Sequence, residues 1–119
     1  MSEGLQWQNK LSAAIESAKN QNKLVLIDFY GQFWGACQKM ETGTFLKDDV
    51  QGHIRENFIP VKYESGQDAD QFTRFSIVAT PTYIILDAQG DEVYRIIGYY
   101  SPEDFIGHLI SARQIVNKL

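Results

Sequence analysis

The sequence holds a single cysteine, Cys37, among 119 residues, so no internal disulfide can form. A lone thiol suits a reducing compartment. No apolar run approaches the ~20 residues that a membrane-spanning helix needs. Met1-Ser2-Glu3-Gly4 carries no basic and apolar leader, so the cytoplasm is the expected location, with the periplasm the alternative if a leader has been removed. There is no cluster of lysine and arginine, and the net charge is −4, which argues against nucleic acid as a partner. A membrane is not expected as a partner either. The two histidines, His53 and His108, lie apart and without other ligating residues nearby in sequence, so neither a metal nor another cofactor is expected. Repeats, low-complexity stretches and linkers are also missing.

What is present is enough apolar material for a packed core. The hydrophobic fraction is 44% and the aromatic fraction 13%, values of a folded chain rather than a disordered one. The length suits one domain over residues 1–119, stable without disulfides or metals and expected to be a monomer.

Elements alternate along the chain. Trp7, Leu11, Ala14, Ile15 and Ala18 recur at helical spacing and predict a helix over about 5–20. The continuous apolar run Leu24 to Tyr30 predicts a buried strand. A helix is expected from about Gly35, and another over 47–57 with Val50, Ile54 and Phe58 on one face. Residues 58–63 read as a strand in which Pro60 marks an irregularity or an edge. A short helix over 69–75 follows, then a strand over 82–87, a turn at 88–91 and a returning strand over 92–98. Ser101-Pro102-Glu103-Asp104 is a helix start, with a capping hydroxyl, a proline in the first turn and acids near the positive helix end. That helix runs to about 117. This order predicts an α/β fold: a mixed central sheet with helices on both faces, one parallel pair formed through a crossover, and a closing hairpin.

The turn between the first strand and the next helix, Phe33-Trp34-Gly35-Ala36-Cys37, resembles the Trp-Cys-x-x-Cys site of the thioredoxin family. Phe33 stands in the tryptophan's place and Trp34 in that of the first, attacking cysteine. Asp28 matches the family's buried acid, Lys62 the lysine that often accompanies it, Thr80-Pro81 the cis-proline loop and Gly98 the glycine before the last helix. The string Lys39-Met40-Glu41, Thr44-Phe45 and Asp49-Val50 is similar to one branch, which includes the C-terminal domain of the bacterial transmembrane disulfide reductase and related small thioredoxin-like proteins. The resemblance implies a thioredoxin fold and an ancestry in thiol–disulfide exchange.

That chemistry needs one thiolate to attack and a second thiol to release the mixed disulfide. By the resemblance, this chain keeps the releasing half, Cys37 and Asp28, and lacks the attacking half. Two functions follow. In the first, the protein is inactive as a dithiol oxidoreductase and binds a polypeptide or a thiol-containing protein through Phe33, Trp34, Gly35, Ala36, Thr80 and Pro81. In the second, Cys37 works alone, with glutathione or a partner protein supplying the other sulfur. Residue by residue the alternatives are similar. Cys37 is either a small buried apolar group or a functional thiol. Asp28 is either a buried carboxylate paired with Lys62 or a base. Tyr99 and Tyr100 form either packing or a recognition edge.

Overall fold

A computed structural model describes residues 5–31 and 35–117. Met1–Gly4, and Phe33 and Trp34 of the turn, lie outside the described residues. Four strands, β1 (Leu24–Tyr30), β2 (Phe58–Glu64), β3 (Thr82–Leu86) and β4 (Glu92–Ile97), form one sheet in the order β2-β1-β3-β4. β1 pairs parallel with β2 and antiparallel with β3, and β3 and β4 form the closing hairpin. The helices are α1 (Leu11–Gln21), α2 (Gly35–Thr42), α3 (Asp48–Asn57), α4 (Ala69–Arg74) and α5 (Pro102–Asn117), with a 3-10 turn at Thr44–Leu46.

Alternation along the strands divides the core in two. Leu24 and Leu26 of β1 face a layer made by α2, α3 and α5, with Met40, Phe45, Ile54, Phe105 and Leu109 buried there. Val25, Ile27 and Phe29 face the other side, against Leu11, Ala14 and Ala18 of α1 and the rings of Phe72 and Phe75 at α4. β1 is therefore covered on both faces, which is why its sequence is apolar without alternation. The Ser101 hydroxyl accepts the Asp104 amide at the start of α5, as the capping pattern implied.

One expectation fails. The helix predicted from about residue 5 begins at Leu11. Before it the chain is extended along the outer edge of β2: the Gln8 N–H donates to the Pro60 carbonyl at 2.9 Å, and the Lys62 N–H donates to the Gln8 carbonyl at 2.9 Å. Trp7, counted above on the apolar face of that helix, lies on the opposite side of the sheet from α1. Its ring meets Phe45 edge-on with centroids 5.6 Å apart. The same bonds explain Pro60. In a strand a residue's N–H and C=O project to the same side; the Pro60 carbonyl points outward to Gln8, so its missing N–H costs the β1–β2 ladder nothing.

Candidate functional site

The site gathers where β1 ends and α2 begins. Gly35 is exposed, Ala36 half-buried and Cys37 buried at 4% relative exposure. The helical start at Gly35 turns Cys37 inward, and the Gly31 N–H, at the end of β1, points to its sulfur at 3.5 Å. The thiol therefore lies inward, with a backbone donor against it.

Asp28 lies on the same sheet face as Tyr30, in register with Lys62 of β2 on one side and Tyr83 of β3 on the other. It is 1% exposed, and its Oδ1 is buried without a hydrogen-bond partner. Loss of water raises its pKa from 3.8 to about 7; the positive charge of Lys62 opposes this and the negative charge of Glu41 adds to it. Of the two readings of Asp28, the ion pair with Lys62 is not the one that forms. The Lys62 ammonium pairs with Glu41 on α2. It also lies over two rings, 4.9 Å from the centre of Tyr30 and 5.0 Å from that of Trp7. Those partners hold the lysine at the rim, half in water, and leave the carboxyl in the dry interior. Near neutral pH, Asp28 is thus divided between acid and carboxylate, a state suited to taking up or giving a proton.

Two neighbouring tyrosines stay protonated. Tyr30 is pushed up to about 12, by burial first and then by Glu64, which accepts its hydroxyl proton in a 3.2 Å hydrogen bond. Tyr83 is raised well above its usual range by burial, with Asp28 adding to it. A cavity of about 410 Å³ opens here, lined by Tyr30, Gly31, Cys37, Gln38, Glu41, Thr42 and Lys62.

In the loop before β3, the Thr80–Pro81 peptide bond is cis. Gly98 has φ +97, which favours glycine, and its N–H donates to the Pro81 carbonyl at 2.9 Å. The Thr82 hydroxyl donates to the Ala79 carbonyl at 2.7 Å. A second cavity, about 440 Å³, lies beside this loop and is lined by Ser65, Phe72, Ile77, Val78, Ala79 and Thr80. Val78 stands 94% exposed at its lip.

Of the residues singled out by sequence, the structure thus brings Asp28, Cys37 and Lys62 to one corner, and Pro81 and Gly98 into hydrogen-bond contact. Tyr99 is exposed, with Lys39 over its ring at 5.7 Å, whereas Tyr100 packs edge-on against His108. His108 is bonded through Nδ1 to the Tyr94 hydroxyl, and among the described residues no group of histidine, cysteine and acid is placed to hold a metal. Glu41 was missed as a site residue. Its signal was spacing, one helical turn after Cys37 and so on the same side of α2. Gly31 carries no side chain to announce it; it acts through its backbone.

The chain matches a family model for the thioredoxin-like domain over residues 11–113. The thiol:disulfide interchange protein DsbD of Vibrio cholerae is 30% identical over 107 residues, 85% of this chain but 18% of that protein. Its counterpart in Yersinia pestis is 29% identical over 97 residues, 77% of this chain and 16% of the relative. The chain therefore spans less than a fifth of the length of these curated relatives. Among solved structures, a thioredoxin from Thermus thermophilus superposes with a TM-score of 0.78 at 21% identity, covering 95% of this chain and 88% of that one. The oxidised C-terminal domain of DsbD from Neisseria meningitidis does so with a TM-score of 0.72 at 17% identity, covering 90% and 99%. At these identities the structural likeness concerns the fold. The mixed four-stranded sheet and the extent of the family match together place the chain in the thioredoxin-like domain family, the family of thiol–disulfide exchange.

Proposed function

We propose that this protein binds an extended polypeptide beside Pro81 and does not turn over as a dithiol oxidoreductase. One observation carries the reading: the only cysteine of the chain is Cys37, buried at 4% exposure against the Gly31 amide. With Trp34 in the attacking position, no second thiol exists to complete the exchange cycle. The binding residues in this reading are Phe33, Trp34, Gly35 and Ala36 from the turn and Thr80 and Pro81 from the loop. The exposed Val78 and the apolar cavity behind it support an extended ligand that pairs with the loop backbone and sets a side chain into the cavity.

The test is insulin reduction with dithiothreitol. The wild-type chain is expected to stay at background, and Trp34→Cys is expected to show measurable turnover. Ordinary thioredoxin-like turnover by the wild type would sink the reading. Binding is followed with a carboxymethylated, permanently unfolded polypeptide carrying a fluorophore, and Trp34→Ala is expected to weaken it.

The cavity at Cys37 favours a second reading. The Cys37 thiolate would attack an external disulfide, form a mixed disulfide and expel one thiolate. A second external thiol such as glutathione would then release Cys37 and leave as the new disulfide. Iodoacetamide separates the two. Slow alkylation of native Cys37 at neutral pH fits the binding module, and rapid alkylation at about pH 6 fits the one-cysteine enzyme.

A further inference from the structure

The segment that leads from α4 into the Pro81 loop is tied to the far strand of the sheet by one side chain. Arg95 of β4 donates from Nη2 to the Phe75 carbonyl at 2.8 Å. Glu92, three residues back, takes the same guanidinium in a fork, Nε to Oε2 at 2.9 Å and Nη2 to Oε1 at 2.9 Å. A bidentate carboxylate fixes the plane of a guanidinium, so Glu92 aims the second N–H of Arg95 Nη2 at Phe75. Phe75 ends α4, where the last carbonyls have no partner within the helix. The next residue, Ser76, sits at φ +55, an uncommon conformation for a residue with a side chain. The Ser76 and Ile77 amides close back onto the Thr73 and Phe72 carbonyls at 3.1 and 2.9 Å. From there the chain runs straight into Val78 and Pro81.

We infer that Arg95, held by Glu92, is a positioning residue for the rim formed by Ile77, Val78, Ala79 and Thr80, and so sets the affinity for an extended polypeptide. The inference rests on the binding reading above, and it goes beyond it by placing a determinant of that binding on β4. Arg95 acts by holding the start of the loop through the Phe75 carbonyl, whereas Thr82 and Gly98 bond the Ala79 and Pro81 carbonyls further along the chain.

Two measurements on the full chain test it, with Arg95→Ala and Arg95→Lys beside the wild type. The first is hydrogen exchange of the Ser76 and Ile77 amides. Arg95→Ala is expected to speed it about tenfold, with the β1 amides unchanged and Arg95→Lys between the two. Unchanged exchange at Ser76 and Ile77, or an equal rise throughout the chain, overturns the positioning role. The second is affinity for the carboxymethylated polypeptide, expected to fall about three- to tenfold in Arg95→Ala and to recover in part in Arg95→Lys. Faster exchange with unaltered affinity also overturns the inference. If the wild type does not bind the polypeptide at all, the binding reading fails and takes with it the role of Arg95 in affinity; the exchange result still decides whether Arg95 holds the rim.

Discussion

Asp28 is the residue where folding and chemistry pull against each other. The folded protein holds its proton up to about pH 7, whereas the ordinary value is 3.8. Between those values the folded state binds more protons than the unfolded state, so stability falls as pH rises through the window and levels off above it. The loss is on the order of 4 kcal/mol across the window. Asp28→Asn carries no such charge. Urea unfolding should show it more stable than the wild type at about pH 8, with the advantage shrinking towards about pH 4.5; an equal difference at both pH values would mean that the buried carboxyl is not the source. Resemblance to the thioredoxin family's site marked Asp28, Cys37 and Lys62, and Asp28 also stands out as a charge inside an apolar strand. The partner of Lys62 was not visible. Asp28 and Lys62 are opposite one another in register, but Glu41 reaches the ammonium at the half-wet rim, where an ion pair needs less desolvation.

At the scale of elements, periodicity located strands and helices wherever an element has one buried face or two. It misplaced the start of α1 because Trp7 stands four residues before Leu11, a helical interval, while belonging to the opposite layer. Around Gln8 the chain is held out of the helix by backbone pairing at the β2 edge, which leaves no trace in hydrophobic spacing. The loops depend on backbone conformation instead. Gly98 lies at φ +97 in the connection from β4 to α5 and anchors Pro81 through its amide. A Cβ there meets nothing within 4 Å, so the cost of Gly98→Ala is conformational strain rather than a clash. Its expected loss is about 1–3 kcal/mol in chemical denaturation; a neutral result would show that the connection relaxes to another conformation.

For the whole molecule, the sheet separates two cores. Leu109 is buried in the layer with α2, α3 and α5, and Ile84 in the layer with α1 and α4. Residues without shared partners respond independently. Leu109→Ala is expected to cost about 2–5 kcal/mol and Ile84→Val about 0.5–1.5 kcal/mol. The double variant should match the sum within about 0.5 kcal/mol, and a larger departure in denaturant unfolding would show that the layers are coupled through the sheet.

The strand order also bears on how the chain survives its own synthesis. β1 is central, yet its first residue, Leu24, finds its parallel partner at Phe58, and its antiparallel partner β3 begins only at Thr82. As the chain emerges, Leu-Val-Leu-Ile-Asp-Phe-Tyr waits with neither neighbour made, an apolar segment of high strand propensity of the kind that self-associates. Asp28 is its one charge. In the unfolded chain that carboxyl keeps its ordinary acidity and is ionised at neutral pH, so the group that strains the finished fold acts as a gatekeeper against aggregation before the fold exists.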